Sequence, residues 1–307
     1  MTASGGIAAT PAATSDNVDS AATNHAGAAP RARRGPDRWH LAAYAVLFGL
    51  GAIYLLPLLW MIATSLKTGP QAITSPPTLI PSPFVWENYP KALGQINFPL
   101  ALRNSLVYAL PAVLGSVLSC SVVAYGFARI NWPGRDILFV VLLATMMLPG
   151  QVTFIPLYVI YAKLGWVGTF LPLIVPTFLG NPFFIFLLRQ FFRGIPEELS
   201  SAARIDGASE LQILIRIILP LSVPALITVG LFTFIDKWGD FFGPIIYLNN
   251  PDLYPLSVAI QTFQSSHKTD WPLSMAASVV ISAPLVILYF LAQRKFIEGI
   301  TLTGIKG

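Results

Sequence analysis

Six long stretches without a charged residue, at 41–66, 104–128, 137–162, 164–188, 217–235 and 271–293, leave this chain few possible folds. Each reaches roughly the 20 residues an α-helix needs to cross about 30 Å of hydrocarbon. A bilayer interior offers no water to backbone N–H and C=O groups, so only helices and closed barrels span it. Runs this long and continuous do not suit barrel strands. The expectation is an all-α polytopic membrane protein with six transmembrane helices. Composition agrees: 54% of residues are hydrophobic and 11% charged, against about 25% charged in soluble domains. The fourth run is the least regular, because Leu171-Pro172, Pro176 and Gly180-Asn181-Pro182 interrupt it.

Orientation follows from where the basic residues fall. With the N-terminus inside, the inner segments hold Arg31, Arg33, Arg34, Arg38, Arg129, Arg135, Arg189, Arg193, Arg204, Arg216, Arg294, Lys295 and Lys306. The outer ones hold Lys67, Lys91, Arg103, Lys163, Lys237 and Lys268, so inner and outer share the 19 basic residues as 13 and 6. An inner excess of Lys and Arg sets both termini in the cytoplasm. The net charge of +5 is then accounted for by topology, not by nucleic acid. Residues 1–38 read as a disordered basic cytoplasmic tail, poor in aromatic residues and without periodicity. No basic region followed by an apolar core precedes Arg31, which argues against a cleaved signal peptide. The one cysteine, Cys120, lies in an apolar run and has no partner for a disulfide or a metal cluster.

This orientation leaves a polar stretch, 194–212, in the cytoplasm between the fourth and fifth helices. Pro196 suits a first helical position, Glu197 and Glu198 suit the positive end of the helix dipole, and Arg204 suits the negative end. Gly207 is expected to stop the helix in a left-handed conformation. Helical spacing groups Leu199, Ala202 and Ala203 as a small packing face and Glu197, Ser201 and Arg204 as a wet one. Ser209 and Gln212 fit a capping box that starts a second helix, continuous with the fifth membrane run. Pro220 and Pro224 then free backbone groups, where they shape packing or set a bend.

The order Ala202, Ala203, Gly207, Leu219, Pro220 resembles the EAA loop of inner-membrane permease subunits of ATP-binding-cassette importers. The text around it, IPEEL, ARIDGAS and LPLSVPAL, is similar to the carbohydrate-uptake branch and near its maltose-type second permease. Further blocks in the same order (LLPLLWMIATSLK, NSLVYA, YGFARINWPGRD, MLPGQVTFIPLY, RKFIEGITLTGIKG) extend the likeness over about residues 40–307. One position departs: Ser201 stands where the family has its acidic residue, with Glu197 or Glu198 as candidates to replace it. The resemblance implies a type I importer permease fold over 39–307, with a cytoplasmic coupling helix between helices 4 and 5 and an outer loop at 238–270. It implies ATPase coupling through Glu197, Glu198, Ser201, Ala202, Ala203, Asp206, Gly207 and Pro220. The implied partners are a second, homologous permease, two ATP-binding-cassette ATPase subunits that bind ATP and Mg, an extracytoplasmic sugar-binding protein or lipoprotein, and membrane lipid. The setting is the cell membrane of a prokaryote.

No phosphate-cradling GxxxxGK[ST] loop occurs, so a catalytic role in ATP hydrolysis is not expected of this chain, and no cofactor of its own is implied. An ion-coupled secondary transporter would bury ionisable groups within its spans, and the six runs carry none in their middles. A membrane-embedded transferase would need a constellation that His40, His267 and the outer aspartates do not form in sequence. For a sugar path, which calls for hydrogen-bonding groups and aromatic faces, the candidates are Gln151, Tyr158, Asn181, Asp236, Trp238 and Asp240.

Overall fold

The computed structural model describes the backbone of residues 38–263 and 269–304 and the side chains of 41–263 and 269–293. The expected tail, with Arg31, Arg33 and Arg34, lies outside the described residues, as do His267, Lys268 and Lys306. By internal contacts the chain divides into two units, residues 1–53 and 54–307. In the first, the described part is the opening of helix α1 (Arg38–Ser65), where Leu47, Phe48 and Ile53 are exposed. The second unit holds the remainder of α1 and all else described below.

Its principal helices are α2 (Asn88–Gln95), α3 (Phe98–Arg129), α4 (Arg135–Thr145), α5 (Gly150–Lys163), α6 (Pro182–Gly194), α7 (Glu197–Ile205), α8 (Glu210–Leu221), α9 (Val223–Gly239), α10 (Phe242–Tyr247) and α11 (Trp271–Gly304). Four segments are long and apolar enough to cross a membrane, or up to six if each of two bent pairs is one span. The run at 137–162 is one of those pairs: α4 and α5 meet at 96°, not in the continuous helix expected. Pro149 caps α5 in an extended conformation, and the residues before a proline are steered out of the helical region. Residues 164–170 are not a span either. Gly165 and Gly168 adopt positive φ there, and the apolar span is Leu171–Gly194, stepping through a 3₁₀ segment at Val175–Leu179 before α6.

Helix α3 is the centre of the unit and packs against both α6 and α9. Its buried positions are mostly small, Ala109, Ala112, Gly115, Ser116, Cys120 and Ala124, and small residues let backbones approach where no hydrophobic effect drives helices together. Gly115 is needed for that closeness, since a Cβ there would sit 2.5 Å from the Phe178 ring. Leu110, Leu114 and Leu118, on another side of α3, are half exposed, and Ile137 and Val140 of α4 are more so. Apolar surface on this scale needs lipid or a partner to cover it.

The described part of the expected outer loop, 238–263, carries short helical elements. After α10 come short turns at Pro251–Leu253, Leu256–Ala259 and Ile260–Phe263. They are tied to the start of α3, where Asn104 Nδ2 donates to the Asp252 carbonyl at 2.7 Å and Ser105 Oγ accepts from the Leu256 N–H at 2.9 Å. Tyr108 donates its hydroxyl to the Lys237 carbonyl, and the Gly168 N–H to the Tyr247 carbonyl at 2.7 Å.

Candidate functional site

Two features of the second unit carry polar chemistry: the joint around α7 and a cavity between α3, the 175–179 segment and α9.

Helix α7 begins one residue later than expected. Pro196, at φ −55° and ψ 133°, is the N-cap, and Glu197 is the first helical residue. At the other end Gly207 has φ +82°, its N–H donates to the Arg204 carbonyl at 3.1 Å, and the Ala208 N–H donates to the Ala203 carbonyl at 2.9 Å. Those two bonds form a Schellman motif. Ser209 follows at once as the N-cap of α8, and both arms of the expected capping box are present: Ser209 N–H to Gln212 Oε1 at 2.8 Å, and Gln212 N–H to Ser209 Oγ at 3.4 Å. The turn between the helices is therefore fixed by backbone chemistry over four residues, 206–209.

Beyond the turn the chain bends, one of the two readings open for Pro220 and Pro224. Helix α8 widens to π geometry over Leu214–Ile218 and meets α9 at a bend of 81°. Pro220 offers no N–H to the Arg216 carbonyl and its ring crowds that carbonyl, so the preceding turn opens. The bend itself falls at Ser222, between Pro220 and Pro224; Ser222 is fully buried and its hydroxyl finds no partner among the described residues.

The faces of α7 also differ from expectation. Ser200 is the fully buried position and Ala203 is half-buried, whereas Leu199 and Ala202 are exposed, with Ile205 beyond them 87% exposed. Leu199 and Ala202 of the small packing face thus form, with Ile205, an outward patch. What holds α7 in place is charge. Arg129, at the last turn of α3 with a side chain 3% exposed, donates Nη1 to Glu197 and Nη2 to the carbonyls of Phe192 and Ile195. One guanidinium thereby joins the C-termini of α3 and α6 to the N-terminus of α7, each where a cation or an anion suits the helix dipole. Glu197 Oε1 accepts from Arg204 at 3.1 Å, Arg204 Nε donates to Glu210 Oε1 at 2.8 Å, and Tyr125 donates its hydroxyl to Glu210. Tyr125 and Arg129 lie four residues apart on one face of α3, so the five side chains close a ring. Ser201 is exposed, and Glu197 and Glu210 carry the carboxylate contacts of the loop; Glu198 and Asp206 are exposed as well.

Burial raises the Glu197 carboxyl, and the bonds from Arg204 and Arg129 outweigh it, so the group lies below the ordinary glutamate value. A carboxyl lowered in the folded state contributes stability above its unfolded pKa and loses it as pH falls through the folded one. The ring is therefore expected to hold from alkaline pH down to about 4.3, the ordinary glutamate value, and to open only in stronger acid. A spin label at exposed Ser201, followed by electron paramagnetic resonance, is expected to keep constant mobility until that point.

The cavity has a volume of about 650 Å³. Among the sequence candidates, Asn181, Asp236 and Asp240 line it, joined by Thr177, Thr233, Lys237 and Tyr247, which sequence reading did not single out. Asn181 also serves as the N-cap of α6, its Oδ1 accepting from the Phe183 N–H at 3.0 Å. Asp240 Oδ1 accepts from the Gly243 N–H at 2.9 Å, and Asp236 pairs with Lys237 at 3.2 Å. The other candidates stand apart. Trp238 is buried, its Nε1 donates to the Ile281 carbonyl at 2.9 Å, and its ring stacks on Phe234. Tyr158 stacks behind Tyr247 with ring centroids 6.2 Å apart, and Gln151 is exposed in the first turn of α5. Among the described residues no group of three or more His, Cys, Asp or Glu side chains could hold a metal ion.

A helical membrane-spanning unit with a charged helical joint at one end and a polar cavity inside has the form of a transport permease. The chain belongs to the family described as binding-protein-dependent transport system inner membrane component, which it matches over residues 113–301. The trehalose/maltose transport system permease protein MalG of Thermococcus litoralis is 34% identical over 263 residues, covering 84% of this chain and 94% of that protein. The sulfoquinovosyl glycerol transport system permease protein SmoH of Agrobacterium fabrum is 32% identical, covering 82% and 89%. Among solved structures, a chain of a bacterial ABC transporter involved in import of the acidic polysaccharide alginate superposes with a TM-score of 0.75 at 25% identity, over 85% of this chain and 97% of that one.

Proposed function

We propose that this chain is one permease subunit of an ATP-driven importer of a sugar or oligosaccharide, that it takes its energy from separate ATPase subunits through α7, and that it forms half of the path the solute follows. The observation that carries the reading is the closed ring Tyr125–Arg129–Glu197–Arg204–Glu210, which fixes a short helix with an exposed apolar patch to the end of the central membrane helix. Leu199, Ala202 and Ile205 are the contact for an ATPase subunit, and the ring and the 206–209 turn pass its movement to α3 and α8. With six spans, both termini and α7 lie in the cytoplasm, and 238–263 faces an extracytoplasmic binding protein. The cavity residues Asn181, Thr233, Asp236 and Asp240 offer hydrogen bonds to solute hydroxyls. The relatives named for trehalose/maltose and sulfoquinovosyl glycerol support a carbohydrate as the cargo. A second permease chain completes the path, and ATP and Mg stay on the ATPase subunits.

Purified alone, the chain is expected to hydrolyse no ATP. Assembled in proteoliposomes with its ATPase subunits, second permease and binding protein, it is expected to take up solute only when ATP is supplied on the α7 side. ATP turnover by the chain alone, or uptake driven by an ion gradient without ATP, would overturn the proposal.

A further inference from the structure

Away from the ring and the cavity, the start of α4 and the end of α6 bring three arginines together. Arg189 has a side chain 9% exposed and is held on two sides: its guanidinium lies 3.9 Å from the centroid of the Phe139 ring, and its Nε donates to the Phe127 carbonyl at 3.2 Å. Among the described residues its terminal nitrogens pair only with Asp136 Oδ1, at 3.8 Å, beyond hydrogen-bond reach. Arg135 donates Nε to the same Asp136 oxygen at 3.1 Å and Nη1 to Asn131 Oδ1 at 2.8 Å. Arg193, one turn beyond Arg189 on α6, is exposed and adds its field to both Arg189 and Asp136. Arg135 and Arg189 thus share one carboxylate, Asp136, whose side chain is 73% exposed, and Arg193 lies between this pair and the groove that holds Glu197 and Glu198. One positive charge is left over at Asp136, where Arg189 holds its guanidinium already fixed in place.

The surroundings indicate what balances it. A groove of about 450 Å³ runs along 131–137 beside Arg135 and Asp136. On α4, directly after the cluster, Ile137, Leu138, Val140 and Val141 are 72%, 52%, 65% and 52% exposed. An uncompensated cationic cluster set at the end of an exposed apolar helix face matches a molecule with an anionic head and hydrocarbon tails, because each part meets its complement at the depth where it sits.

We infer that Arg135, Arg189 and Arg193 form a binding site for the phosphate of an anionic phospholipid headgroup, with the acyl chains lying along α4. The site needs only that α4 and α6 end at a membrane surface. Its assignment to the cytoplasmic leaflet rests on the orientation proposed above. Arg189 is the preset ligand, its planar fork suited to a phosphate, while Arg135 and Arg193 supply charge from either side. Arg193 also borders the start of α7, in a groove with Glu197 and Glu198, whereas Arg135 and Asp136 line a separate groove; lipid binding is read without ATPase subunits and so separately from coupling.

The test reconstitutes the full chain in phosphatidylcholine nanodiscs and compares spin-labelled phosphatidylglycerol with spin-labelled phosphatidylcholine for motional restriction at the protein surface. A preference for the anionic lipid of roughly five-fold or more is expected, on the scale of one arginine at a membrane surface. The R135Q/R193Q double variant, which leaves buried Arg189 and its packing in place, is expected to bring the preference close to parity with the helix content unchanged. Equal restriction of the two lipids in the unaltered chain, or an unaltered preference in the double variant, would overturn the site. Displacement of phosphatidylglycerol by millimolar inorganic phosphate at constant ionic strength would overturn the lipid assignment in favour of a soluble phosphate.

Discussion

Replacing Arg129 with alanine is expected to abolish ATP-driven uptake while the chain still inserts in the membrane. The side chain is 3% exposed and makes three contacts at once, to Glu197 and to the carbonyls of Phe192 and Ile195. Glu197 is 55% exposed, so its half of the ion pair is solvated after the loss and contributes little. The carbonyls decide the cost. They lie at the end of α6 under the guanidinium, and a bond from a charged donor contributes roughly 1.5–3 kcal/mol. Losing both, with the packing of the aliphatic stem, amounts to roughly 3 kcal/mol or more, which loosens the junction of α3 with the α6–α7 corner by more than about a hundredfold in population. Arg129→Lys is expected to recover little, because one ammonium cannot reproduce a planar fork that reaches a carboxylate and two carbonyls. Hydrogen exchange over 196–212 and uptake in proteoliposomes measure the two halves of the effect. Normal uptake with unchanged protection in Arg129→Ala would remove the ring from the coupling path.

Arg129 also marks the limit of what the sequence made legible. The turn at 206–209 could be read in advance because glycine at a helix end and a Ser-x-x-Gln pattern act over three or four residues, and both arms appear as expected. The Arg129–Glu197 contact joins positions 68 apart, and nothing local to either one announces the other. The spans divide the same way. Length and hydropathy locate apolar runs, but the transfer free energy of a run does not depend on whether it is straight, so the 96° and 81° bends were invisible to it. Pro220 and Pro224 had already offered a bend as one of two readings, whereas Pro149 held a signal left unused, in the backbone donor it lacks. The cavity divides by chemistry. Asp236 and Asp240 were found because carboxylates are conspicuous beside apolar runs, whereas Thr233 was overlooked because a threonine in a helix commonly donates to its own backbone, as it also does here to Val229 at 2.9 Å. Trp238 was singled out for sugar stacking on residue type alone. Its indole instead caps a carbonyl of α11, the usual need of a buried tryptophan.

Gly207→Val is expected to uncouple transport through the backbone alone. At φ +82° an L-residue brings its Cβ against the neighbouring carbonyl, which costs roughly 1–2 kcal/mol for an ordinary side chain and more for a β-branched one. A Cβ built at Gly207 meets nothing within 4 Å, so no clash with another element contributes and the side chain's volume is not at issue. Three substitutions then separate conformation from size. Valine is expected to cost roughly 2–3 kcal/mol and break the Schellman bonds, alanine roughly 1–2, and asparagine, which enters the left-handed region readily, less than about 1. Because Ala208 and Ser209 follow directly, loss of the turn also removes the N-cap geometry that starts α8, and α7 is left tethered by its ion pairs without a fixed angle to the membrane helix. Uptake is expected to fall in the order asparagine, alanine, valine, with membrane insertion and co-purification of the ATPase subunits retained. An order that followed side-chain volume, with asparagine as damaging as valine, would place the defect in a contact with a partner and not in the turn.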